Sequence, residues 1–220
     1  MNTRHAHSEN QTRIRARFGL PLHDHAQHDR YESLIAHARA AAIELDRALK
    51  PGKVALITGP NGSGKSLVVN QLSHICQRPI TPLTDLSIEE RPPIDLFNCS
   101  LNDACRTLAA SGLADAHQLV TPANRLSVGQ QARLSLALAL HHAAQLGKPC
   151  TIIADEFASP LDRTTAASLG SCLRRHIEEP IRLIAAAAHD DLIELLAPDV
   201  LLYTPIEGTP ELLTRESACG

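Results

Sequence analysis

The chain has 220 residues, a formal charge of −3 and a pI near 6.4. That is enough length for one α/β domain with its own core, and the balance leaves no global basic footprint for nucleic acid. Aromatic residues make up 2 % and tryptophan is absent, so rings for stacking on bases are scarce.

No run approaches the length of a membrane span. The polar start, Met1 to Arg15, lacks the pattern of a signal peptide. Six cysteines show no CxxC pair and no metal spacing, which suits a cytoplasmic chain with reduced thiols.

Residues 1–12 are expected to be a disordered tail and 13–215 a single domain. Arg13 to Leu20 alternates, with Ile14, Ala16, Phe18 and Leu20 on one face, and predicts a half-buried strand. Its arginines read as a solvated face rather than a nucleic-acid site. The histidines of residues 23–29 fit no defined ligand set and read as a mobile loop. Residues 32–49, rich in Ala and Leu, predict a helix ending before Pro51-Gly52. Val54 to Thr58 is a short apolar strand, and a helix comes next, from Leu67 to Ile75. The proline-rich stretch 78–98 reads as loop with short strands.

Leu101 to Leu113 predicts a helix capped by Ser100 or Asn102. Ser127 is positioned to cap a longer apolar helix, 129–146, ending near Gly147. Cys150–Ala154 and Ile181–Ala188 are fully apolar strands of the buried, parallel type. Thr164–Glu178 lies between them as a helix, and Val200–Tyr203 is a last strand. Strands alternating with helices predict an α/β fold: a mainly parallel sheet flanked by helices.

Chemistry concentrates between the first strand and its helix. Gly59-Pro60-Asn61-Gly62-Ser63-Gly64-Lys65-Ser66 is GxxxxGK[ST], the phosphate-binding loop of nucleoside triphosphatases. Its glycines free the backbone to turn N–H groups toward phosphate. Lys65 is placed to reach the β- and γ-phosphates and Ser66 to coordinate Mg²⁺. Such a site also needs a carboxylate at a strand end. Asp155 supplies one for Mg²⁺, and Glu156, next in the chain, is placed to polarise an attacking water.

Leu126-Ser127-Val128-Gly129-Gln130, between those two motifs, resembles the LSGGQ signature of the ABC-type ATPases, with Val128 in place of the first glycine. Two further stretches extend the resemblance, to about residues 54–203. Ser159-Pro160-Leu161-Asp162 is similar to the family's D-loop, and His189 falls where the family has its switch histidine. The resemblance implies a P-loop NTPase with a small helical subdomain, about residues 99–135, carrying the signature. It implies a head-to-tail homodimer that sandwiches ATP and Mg²⁺. One protomer contributes Gly59–Ser66 with Leu67 behind them, and the other Ser127, Gly129, Gln130 and Asp162. Hydrolysis then falls to Glu156, His189 and Lys65.

Departures from the family pattern are specific. Phe157 stands where a proline usually comes after the Asp-Glu pair. No glutamine sits convincingly in the Q-loop: Gln77 comes too early, and Glu90 or Asp95 are substitutes. Tyr31 is the candidate to stack on adenine, ahead of Phe18.

Only 61 residues separate Lys65 from Leu126, a short helical subdomain that argues against a transport role. Residues 154–166 and 188–192 resemble a group of soluble ABC-type ATPases, some fused to an acetyltransferase domain. The expectation is therefore a soluble ATPase with a protein partner, an acetyltransferase among the options, with nucleic acid possible but unsupported and no direct membrane insertion. A transporter subunit, a DNA-maintenance ATPase and a weakly hydrolysing ATP sensor are the alternatives.

Overall fold

A computed structural model describes residues 10, 13, 14, 17, 25–83, 90–157, 161–188 and 191–215. The chain divides into two compact units, Met1–Ala36 and His37–Gly220.

In chain order the elements are α1 (His25–Ala48), β1 (Val54–Thr58), α2 (Lys65–Ile75), β2 (Ile80–Pro82), a 3₁₀ turn (Pro93–Leu96), α3 (Leu101–Ala110), α4 (Ala116–Val120), α5 (Val128–Leu146), β3 (Cys150–Ala154), α6 (Arg163–His176), β4 (Ile181–Ala187), α7 (Leu192–Leu196), β5 (Val200–Tyr203) and β6 (Glu211–Thr214).

The strands form one six-stranded sheet in the order β2-β3-β4-β1-β5-β6, parallel throughout except for β6, which runs antiparallel to β5. β1 and β3 are buried along their whole length. Their side chains alternate between two cores. Val54 and Leu56 face one, with Leu136, Leu169 and Leu173 of α5 and α6. Ala55 and Ile57 face the other, with Leu45 of α1 and Leu72 of α2. Helices on both faces explain why these strands are apolar without a polar side.

A third core stands apart, made by Phe97, Leu108, Leu113, Leu126 and Leu134 with their neighbours. It holds α3, α4 and the first half of α5 together as a helical lobe, close to the expected 99–135.

Partly exposed ion pairs around Asp199 tie α6 to the strand ends. Asp199 accepts from the Val54 N–H at 3.0 Å, from Lys53 at 3.2 Å and from Arg174 of α6 at 2.7 Å. Burial pushes its carboxyl up, but these donors outweigh burial and hold it below the usual range.

Two expectations are overturned. Arg13, Ile14 and Arg17 are helical, not strand. Arg and Ala are strong helix formers, and alternation alone does not supply the partner that a strand requires. Residues 25–29, read as a loop, are the opening turns of α1. No Gly or Pro interrupts the chain from there to Ala48, so the helix propagates back through the histidines. The proposed disordered tail lies almost wholly outside the described residues.

Candidate functional site

Because β1 and β3 flank β4 in a parallel arrangement, the segments that leave β1 and β3 emerge at the same end of the sheet. Open α/β sheets bind their ligands at the carboxyl ends of the strands. After β1 comes the loop Gly59–Ser66, and after β3 come Asp155 and Glu156.

The loop's shape depends on its glycines. Gly59 has φ +147°, and a Cβ there would lie 2.1 Å from the Thr204 carbonyl oxygen. Gly64, at φ 93°, begins α2 in the left-handed region with no side-chain cap. Ser63 is 2.8 Å from the Thr204 hydroxyl, which itself donates to the Thr58 carbonyl at 3.1 Å. Thr204 thus pins the loop from the end of β5. No sequence motif marks it; its only sequence signal is a hydroxyl residue just beyond a buried strand.

Lys65 folds back over the loop and donates to the carbonyls of Gly59 at 2.7 Å and Pro60 at 2.9 Å. Burial pulls its ammonium below the ordinary lysine value, and the nearby Asp155 and Glu156 carboxylates oppose that shift. Ser66 donates to Asp155 Oδ1 at 3.4 Å. A hydroxyl and a carboxylate so placed are the hard oxygen donors that Mg²⁺ takes from a protein, with phosphate and water completing its shell. These residues therefore fit Mg²⁺.

Glu156 is exposed and holds φ 50°, a left-handed conformation uncommon outside glycine. Its N–H donates to Asp155 Oδ1 at 3.0 Å. The next N–H, that of Phe157, donates to the Ala186 carbonyl on β4 at 2.8 Å, and the ring is buried. A proline has no N–H to give. Phenylalanine here therefore adds a tie between the carboxylate turn and the strand that leads to His189.

Ser127 to Gln130 begin α5 in the helical lobe. The Ser127 hydroxyl accepts from the Gln130 N–H at 3.3 Å, and the Gln130 side chain accepts from the Ser127 N–H at 2.9 Å, a closed capping box. Val128 is exposed. Gly129 is required by packing, since a Cβ there would come within 2.9 Å of Thr165 Cγ2. Thr165 in turn donates twice to Asp162, at 3.0 and 2.7 Å, making Asp162 the N-cap of α6. Those hydrogen bonds hold the Asp162 carboxyl below its usual range. Among the described residues, no hydrogen bond joins Ser127–Gln130 to Gly59–Ser66.

The remaining expected residues are scattered. His189, Ser159 and Pro160 lie outside the described residues, as do positions 84–89 of the stretch searched for a Q-loop. Gln77 lies beyond the end of α2 that is far from the phosphate loop. Glu90 accepts a hydrogen bond from Asn124 at 3.5 Å, and Asp95 sits in the 3₁₀ turn. Tyr31 is 52 % exposed and belongs to the first unit. No group of three His, Cys, Asp or Glu side chains among the described residues is placed to hold a metal.

Fold and loop together define a P-loop NTPase fold of the ATP-binding-cassette type. The dimeric, post-hydrolysis ATP-binding cassette MJ0796, bound to ADP and Pi, superposes with a TM-score of 0.55 at 19 % identity over 74 % of this chain and 86 % of that one. The cbiO1 protein of Clostridium perfringens, part of the ABC transporter complex cbiONQ, gives 0.59 at 18 % identity over 78 % and 80 %. Among curated proteins, the zinc import ATP-binding protein ZnuC of Ruegeria pomeroyi is 26 % identical, covering 82 % of this chain and 77 % of its own length. No protein-family model matches the chain.

Proposed function

We propose that the protein is an ABC-type ATPase that hydrolyses ATP with Mg²⁺ in a composite site between two copies arranged head to tail. The carrying observation is the convergence of Lys65, Ser66, Asp155 and Glu156 at one end of the sheet. Support comes from the cassette fold, which MJ0796 adopts as a dimer holding ADP and Pi.

Gly59–Ser66 bind the phosphates, with Leu67 packed behind them. Ser66 and Asp155 hold Mg²⁺, which supplies charge neutralisation on the phosphate oxygens. Glu156 accepts a proton from the attacking water, and His189 orients that water from the end of β4. Ser127, Gly129 and Gln130 of the second copy close over the nucleotide, with Asp162 at the seam. Phosphoryl transfer asks mainly for positioning and charge stabilisation, and this set supplies both.

Glu156→Gln removes the base and keeps the fold, so the variant is expected to bind ATP, fail to turn it over and accumulate as a dimer. Light scattering with and without ATP measures this; an ATP-loaded variant that stays monomeric refutes the sandwich.

The partner process has a second reading. ZnuC is a zinc import ATP-binding protein, which favours an ATPase subunit of a transporter over the free-standing ATPase expected from the short helical subdomain. The acetyltransferase partner finds no support among these relatives. No described helix is long and apolar enough to cross a membrane. The five described cysteines are unpaired, consistent with a cytoplasmic setting. Recovery of an integral membrane protein with the Glu156→Gln trap separates the two.

A further inference from the structure

The end of the sheet opposite the phosphate loop holds a cavity of about 750 Å³. It opens where the end of α1, the turn from α2 into β2 and the turn from α5 into β3 come together. Each contributes one cation to the lining: Arg47, Arg78 and Lys148. Gln77 and apolar side chains such as Ile43 complete the wall.

Among the described residues Asp46 is the only acid in that lining, and it is already engaged. Arg182, 1 % exposed, forms an ion pair with it and also donates to Thr151 Oγ1 at 2.8 Å and to the carbonyls of Asp46 and Leu49 at 3.0 and 2.9 Å. Among the described residues, neither Arg47, Arg78 nor Lys148 has an acidic partner. The wall therefore carries three uncompensated positive charges.

Helix dipoles account for part of this. α1, α2 and α5 all end here, and helix C-termini attract cations. That explains Arg47, in the last turn of α1, and Lys148, just past the Gly147 C-cap. It does not explain Arg78. Its Nη1 is buried and has no hydrogen-bond acceptor, so no helix carbonyl satisfies it. An unmet donor on a buried charged group is costly, and because Arg78 lines the cavity, a turn of its guanidinium outward onto a ligand oxygen removes that cost.

We infer that this cavity binds a phosphate-type oxyanion carried by a small molecule. The planar guanidinium fork of Arg78 suits a tetrahedral oxyanion, and Arg47 and Lys148 add charge around it. The volume lies in the range of small-molecule sites. Among the described residues no aromatic side chain lines it, which favours a compact phosphate or phosphate monoester over a nucleotide base that needs a stacking partner. The site is separate from the nucleotide: Lys65 begins α2 and Arg78 lies just beyond its end, about 16 Å along the helix axis. Both ligands thus contact the two ends of one helix.

The test is a thermal-shift titration of the full chain carrying Lys65→Ala, with an ATP titration of the same protein to verify that its phosphate loop is silent. Inorganic phosphate is expected to raise the melting temperature above a sodium chloride control of equal ionic strength. Adding Lys148→Gln or Arg78→Gln is expected to weaken that response at least ~10-fold, the loss of one charged hydrogen bond. Lys148 is exposed, so its variant folds even if the Arg78 variant does not. No response to phosphate, or a response that Lys148→Gln leaves unchanged, overturns the site. Glycerol 3-phosphate as a second probe tells the sources apart: an equal effect assigns the site to free phosphate, a stronger one to a monoester, and both support it. Should Lys65→Ala still bind ATP, the phosphate-loop reading fails, while the Lys148 comparison still decides the cavity.

Discussion

Two helices of this chain start on loops of glycine and serine, and the two starts are closed in different ways. α2 begins at Gly64, in the left-handed region, with no side chain capping it. α5 begins at Ser127, whose hydroxyl and N–H are both engaged with Gln130. Every helix opens with N–H groups that lack internal partners. The first start leaves them for an outside anion, and a lysine stands beside it. The second already engages two of its N–H groups, those of Ser127 and Gln130. An anion reaching Ser127 therefore competes with an existing hydrogen bond, and binding at the signature is expected to come after binding at the phosphate loop.

Substitutions can break this contrast, beginning with the loop's shape. Gly59→Ala forces a Cβ against the Thr204 carbonyl at a φ that L-residues avoid. A loss of about 3 kcal/mol in stability is expected, read by urea denaturation, with nucleotide binding lost as well. Lys65→Ala removes the ammonium that is proposed to meet the phosphates and that now rests on the Gly59 and Pro60 carbonyls. ATP affinity is expected to fall ~100-fold, measured by calorimetry, and an unchanged affinity contradicts the phosphate-loop assignment.

Ser127→Ala removes a cap and the signature hydroxyl together. About 1 kcal/mol of stability goes with the cap. Turnover at high protein concentration is expected to fall, while ATP affinity of the monomer stays the same. A matching drop in monomer affinity places Ser127 in its own chain's site instead. Gln130→Ala is the mildest, at about 0.5 kcal/mol by thermal melting, since Ser127 keeps its half of the capping box. If the box restrains the signature, this variant also dimerises at lower ATP, read by light scattering.

Much of the proposed nucleotide site is legible in the sequence because its residues are contiguous. Gly59–Ser66 and Asp155-Glu156 each sit at the end of a buried, β-branched strand, and pattern and motif agree there. Ser100, Ser127 and Gly147 mark helix ends by capping chemistry, and the structure places the ends beside them. The features that escaped reading depend on contacts between distant segments. Thr204 matters only because β5 lies beside β1. β6 has a half-exposed pattern and only four residues, and it exists because β5 offers it an edge. The reverse failure is Arg13 to Leu20, where alternation suggested a strand and helix-forming residues prevailed at every described position.

The sheet's two outer strands bear on how copies of this chain can meet. β2 has three residues and ends on Pro82, which offers no N–H. β6 offers four residues, and strands so short are poor templates for another chain. Two molecules therefore gain little by joining sheets side by side into a longer ribbon. The proposed head-to-tail association would instead use the loops at the strand tips, where contact can be made and released rather than locked into a continuous hydrogen-bonded ladder.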